Sequence, residues 1–222
     1  MATAAFMAMK PFKAIAGISS SFVGNSYNHL VFLHTAENDF PLFDKTVGYI
    51  QNIKKSHRET ILVHSGVQHS SGFDFDIPPA ESRTKDYTVI SKNGLNAGVI
   101  YINKEEQDVI SRVNNLAAML KKEKDCQVVV CVSRLGYKNK YAVDDMKLAA
   151  GSQNVDLVIG GHPSNYTTKT MVTRNSVKHE VIVQSSKTDT LDCGKIEFSF
   201  DNTGTKKHVH IANKLYKETV TV

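Results

Sequence analysis

The chain has 222 residues, with 27 lysines and arginines against 22 aspartates and glutamates and a formal net charge of +5. That length suits one sizeable α/β domain or two small ones, and 41% hydrophobic with 22% charged residues is an ordinary globular composition. No stretch approaches the roughly 18 apolar residues of a membrane span. The lysines are scattered (Lys54-Lys55, Lys121-Lys122, Lys138-Lys140, Lys206-Lys207) and read as a solvated surface without interleaved aromatics, which argues against nucleic acid as a partner.

The first 28 residues, beginning "MATAAFMAMKPFKAIAGISSS", hold a short apolar run and Ala14-Ile15-Ala16 before Gly17. This reads either as the tail of a signal peptide, implying an exported or periplasmic protein, or as a disordered segment of a cytoplasmic one. A single domain is expected over 29–222.

"HLVFLHT" (His29–Thr35) is an apolar run of strand length, and Phe43, Val47, Ile50 and Ile53 then recur at helical spacing. "TILVHSG" follows as a second strand, so the opening is a parallel βαβ unit. Residues 67–86 are polar and read as loop. "YTVISKNGLNAGVIYIN" is two strand-like runs around Asn93-Gly94, a hairpin signal. A helix is expected next, with Val109, Val113, Leu116 and Leu120 on one face. The strand "CQVVVCVS", a helix stopped near Gly151 and the strand "VDLVIGG" continue the alternation. "HEVIVQSS", "CGKIEFSF" and "KHVHIANKLYK" read as a closing antiparallel meander, the last two joined around Asp201–Gly204.

The three cysteines, Cys126, Cys131 and Cys193, are too few for a zinc cage or disulfide framework. Cys126 and Cys131 read as core residues; in an exported protein Cys193 would instead pair with one of them. Gly66, Gly160 and Gly161 read as tight turns after strands.

This order, with "NVDLVIGGH" closing a parallel strand and "FLHT", "ILVHSG" and "VSRLGYKNK" at other strand ends, resembles the 5'-nucleotidase branch of the calcineurin-like metallophosphoesterases. The resemblance runs from about His29 onward and implies a shortened four-layer α/β/β/α sandwich of two mixed sheets with flanking helices. It also implies two divalent metals that clamp a phosphate and activate a water. The ligand set in that family is Asp-x-His, Gly-Asp, Asn-His-Glu, a lone His and Gly-His-x-His.

Against that pattern the chain departs at most positions. Glu37 and Asp39 stand at the Asp-x-His, Val67 at the bridging aspartate, Arg134 at the lone histidine and Ser164 at the second histidine of the last motif. The Asn-His-Glu segment is missing. Only His162 matches like for like, with Glu37 and Asp39 as vestigial oxygen ligands. Valine cannot coordinate a metal, and arginine stays protonated with no lone pair to give. The resemblance therefore implies a degenerate member without dimetal activity, acting as a binding or partner scaffold. Its partner would be an active paralogue or a separate C-terminal nucleotidase domain.

Alternatives remain at the residue level. His162 is a locally bonded polar residue, or it joins His34, His64, His69 and Glu37 or Asp39 in a rebuilt site for zinc, manganese or iron with residual nucleotide hydrolysis. Arg134 pairs with Glu37 or Asp39, or holds a phosphate or nucleotide by two parallel hydrogen bonds. The missing segment is also expected to leave apolar sheet edges exposed.

Overall fold

The structure is a computed structural model, and it describes residues 28–35, 51–52, 54–55, 58–65, 73–76, 86–102, 107–162, 164–167, 169–185 and 194–212. Two sheets pack face to face. The first holds β1 (Asn28–Thr35), β2 (Thr60–His64), β3 (Phe75–Asp76), β10 (Gly194–Phe200) and β11 (Lys206–Ala212), in the order β11-β10-β1-β2-β3. The second holds β4 (Tyr87–Lys92), β5 (Leu95–Ile102), β6 (Val128–Ser133), β7 (Leu157–Gly160), β8 (Met171–Arg174) and β9 (Glu180–Ser185), in the order β4-β5-β6-β7-β9-β8. Both are mixed: β1, β2 and β3 run parallel, as do β5, β6, β7 and β9, while β4, β8, β10 and β11 are antiparallel additions. The α/β class and the paired mixed sheets are those expected.

The apolar runs are continuous because the central strands are buried on both faces. Val128, Val130 and Val132 of β6 face the first sheet, against Phe32, Ile61 and Phe198. Val129 and Cys131, one residue out of phase, face the helices α1 (Val109–Glu123) and α2 (Asp145–Gly151). Helix α1 buries Val109, Val113, Ala117 and Leu120. Ala117 takes the deep position expected of Leu116, because the small residue lets the helix approach the sheet while Leu116 packs on the flank. Residues 51–52 and 54–55 are helical, between β1 and β2. No helix among the described residues is long and apolar enough to cross a membrane.

Three expectations change. The closing strands are not one meander: β9 runs parallel to β7 in the second sheet, while β10 and β11 return to the first, β10 against β1. A short strand, β8, precedes β9 and forms its hairpin partner. The polar stretch read as loop contains β3, which pairs parallel to β2 and occupies the sheet edge there. Cys126 lies just before β6 rather than in it, and Cys126 and Cys131 are buried free thiols. Cys193 and the segment before Asn28, the first residue of β1, lie outside the described residues.

Candidate functional site

The carboxyl ends of β1, β2, β6 and β7 gather at one end of the sandwich, where open α/β sheets bind ligands. The register sets Ser133 beside Gly160 on neighbouring strands, and Gly161 N–H donates to the Ser133 carbonyl at 2.7 Å. Arg134 and His162 thus leave adjacent strand ends. Gly161 is where the two sheets meet: a Cβ there would collide with the Ser65 carbonyl and side chain at the end of β2. Its backbone φ lies outside the left-handed region, so close approach, not a special turn, requires the glycine.

Local bonds fix the His162 ring. Its Nδ1 accepts the backbone N–H groups of Ser164 at 3.2 Å and Asn165 at 3.1 Å. A neutral imidazole that accepts at Nδ1 carries its proton on Nε2. Nε2 is then a donor, suited to an oxyanion and not to a metal, which needs a lone pair. Ser164 reaches His162 through its backbone and is exposed. Arg134 is half-buried, and its N–H donates to the Ile102 carbonyl at 2.9 Å.

The loop after Arg134 is built from backbone and side-chain bonds. Tyr137 N–H donates to the Asn165 carbonyl, Asn165 Nδ2 donates to the Lys138 carbonyl, and Gly136, at φ 91°, packs against the Asn165 amide. Lys138 Nζ lies 5.1 Å from the centre of the Tyr137 ring and Lys140 Nζ 5.2 Å from that of Tyr141. The lysines at this one loop do therefore interleave with aromatics, which corrects the reading from composition.

Two buried histidines stand near the same end. His34 faces inward, and burial lowers its pKa to about 4 against a supporting hydrogen bond from Gln184, so it is neutral. His64 Nδ1 lies 3.0 Å from Thr35 Oγ1, and its ring rests 5.1 Å from that of Phe73. His64 pairs with Thr35, while His34 pairs with Val63. Alternation along each strand therefore puts the two imidazoles on opposite faces of the sheet, and they do not share an ion. Among the described residues no three His, Cys, Asp or Glu side chains stand grouped to hold a metal. Glu37, Asp39, Val67, His69 and Gly66 lie outside the described residues.

Asp145 is the site's unforeseen member. It is 2% exposed, at the start of α2; one oxygen lies where a Gly160 Cβ would come within 2.5 Å, and the other, Oδ1, has no hydrogen-bond partner. Burial raises its pKa to about 7, opposed by a bond from Ser133 and reinforced by Asp144. The sequence signal was the Asp144-Asp145 pair: one carboxylate caps the helix, accepting from Lys147 N–H, and the second has no such duty.

No model of a protein family matches the chain, and a search of curated proteins finds no match. Solved structures do match in fold. A 5'-nucleotidase precursor from Thermus thermophilus superposes with a TM-score of 0.66 at 15% identity, over 86% of this chain and 55% of that one. The NAD nucleotidase of Haemophilus influenzae gives 0.63 at 12% identity, over 85% of this chain and 56% of that one. A phosphatase from Mycoplasma pneumoniae gives 0.50 at 7% identity, over 85% of this chain and 94% of that one. The chain spans little over half the length of the two nucleotidases. Its fold is the one shared by 5'-nucleotidases and related metallophosphatases, as the strand-end motifs implied.

Proposed function

We propose that the protein is a binding scaffold that holds a phosphate group, free or on a nucleotide, at the strand ends carrying Arg134 and His162, without hydrolysing it. One observation carries this reading: the His162 Nδ1 is committed to two backbone N–H groups, so its Nε2–H is a donor, the role that an anion requires. Arg134, one strand over, adds a permanent charge with a planar fork of donors that matches a phosphate. Two donors and a positive charge bind an oxyanion, but nothing in this pair activates a water.

The test is calorimetric titration of the full chain with inorganic phosphate and with AMP, alongside turnover of p-nitrophenyl phosphate with added Mn2+ or Zn2+. Binding is expected, weakened about tenfold or more by Arg134→Ala and by His162→Ala, as loss of a charge-assisted bond worth about 1.5–3 kcal/mol requires. Turnover is expected at background. Metal-dependent turnover lost in His162→Ala would instead establish residual hydrolysis by a rebuilt site. An active paralogue of this fold is the partner such a scaffold would serve. Co-elution of the two on size exclusion tests that extension.

A further inference from the structure

The loop between β6 and α2 carries side chains that the phosphate reading leaves unused. Tyr141 is 88% exposed, more than any other large hydrophobic side chain among the described residues. Its backbone is nonetheless held. Asn139 Oδ1 accepts the N–H groups of Tyr141 at 3.1 Å and Ala142 at 3.3 Å, and Asn139 N–H donates to Asp144 Oδ2 at 2.9 Å. Lys147 of α2 closes the clip, its Nζ donating to the carbonyls of Asn139 and Ala142. Asp144 also caps α2, so the loop is fastened to the helix and presents the Tyr141 ring to water from a fixed backbone. The same loop reaches the strand ends. Asn165 N–H donates to His162 Nδ1, and Asn165 also binds the backbone of Tyr137 and Lys138. Tyr141 follows Lys138 by three residues, at most about 11 Å of chain.

We infer that Tyr141 is a stacking platform for the base of a nucleotide whose phosphate lies at Arg134 and His162, so that this surface takes nucleotides in preference to free phosphate. The inference rests on the phosphate reading and adds the class of ligand. An aromatic ring left in water gains from covering its face, and a nucleobase offers a flat π-system to cover it. Lys140 Nζ stands over one face of the Tyr141 ring at 5.2 Å, within cation–π range. The opposite face remains for the base. Lys138 and Lys140 are exposed and bring positive charge to the path between phosphate and base, which draws an anionic ligand to this loop. Because the loop is fastened before any ligand arrives, little ordering cost is set against the stacking. Stacking uses the π-face that every base has, so the platform selects nucleotides as a class and not one base.

The experiment titrates the full chain by calorimetry with AMP, with ribose 5-phosphate, which lacks the base, and with inorganic phosphate. AMP is expected to bind about fivefold or more tighter than ribose 5-phosphate, the margin that stacking one base on an aromatic ring supplies. Tyr141→Ala should erase that margin while leaving the affinities for ribose 5-phosphate and inorganic phosphate as in the parent. Tyr141→Phe, which keeps the ring, should retain it. Both variants should melt with the parent, because the side chain is exposed. A parent that binds no phosphate would end the phosphate reading and this inference with it. Phosphate binding with AMP no tighter than ribose 5-phosphate would overturn this inference alone. So would an AMP margin that survives Tyr141→Ala, or one lost in Tyr141→Phe.

Discussion

At the scale of single residues, two buried titratable groups act in opposite directions on stability. Asp145 has a folded pKa of about 7 against an ordinary value of 3.8. The fold therefore holds its proton more tightly than the unfolded chain does. Its stability is intact below about pH 4 and is lost as pH rises through 7. His34, lowered from 6.5 to about 4 by burial, must be neutral in the fold, so its stability is intact above 6.5 and lost as pH falls through 4. Between these limits the two slopes oppose each other. Asp145→Asn keeps the shape and removes the charge, and it should stabilise the protein at pH 8 by about 2–4 kcal/mol, given 1.36 kcal/mol per pKa unit. In that variant the His34 slope stands alone, so melting temperatures measured across pH 4 to 8 should rise toward neutrality. A variant that melts like the parent at pH 8 would show that Asp145 is not held protonated.

At the scale of elements, what was legible in sequence was what is local. The hairpin β4–β5 turns at Asn93 and Gly94, with φ of 51° and 75°. This is the left-handed pair that a two-residue turn needs and that Asn-Gly supplies. Nothing lies within 4 Å of a Cβ added at Gly94, so Gly94→Ala probes backbone strain alone. It should cost about 1 kcal/mol, read as a lower urea midpoint with an unchanged m-value. Helix α1 was legible too, because its apolar stripe repeats at helical spacing. Strands β3 and β8 were not. The first has two residues and the second alternates half-buried with exposed positions, so neither has a periodicity long enough to read. Asp145 was hidden for a different reason: an aspartate in the first turn of a helix ordinarily caps it or faces solvent, and only the packing of Gly160 beneath it buries it.

At the scale of the whole molecule, two carboxylates tie the sheets together. Asp156, just before β7, accepts from Val129 N–H and from Lys121 of α1, and it also binds Lys206 of β11 in the other sheet. Asp74, just before β3, accepts from Leu62 N–H and binds Lys54, and Lys92 of β4 reaches it from the second sheet. Burial would raise both pKa values; the lysines at Asp156, and the Leu62 N–H with Lys54 and Lys92 at Asp74, hold them low. Their stability is therefore present above pH 3.8 and lost on acidification below it. Asp156→Asn removes the charge that two lysines share and should lower stability by about 2 kcal/mol in urea at pH 7, short of the full 3–5 seen when a deeply buried pair is broken. An unchanged midpoint would mean that the Asp156 charge does not help to join the sheets.

The sequence by itself determined the elements that local periodicity can write: β1 and β2 as a parallel pair, the Asn-Gly hairpin, α1, and β6 and β7 leading into Arg134 and His162. It also determined which residue types stand at those ends, and so which chemistry they can offer. Only the tertiary structure decided how the last strands divide between two sheets, because β9 pairs with β7 and β10 with β1 across long stretches of chain. It also decided the protonated side of His162, through two backbone groups. Hydrophobic alternation says which way a side chain points, but which strand lies alongside is settled by long-range packing.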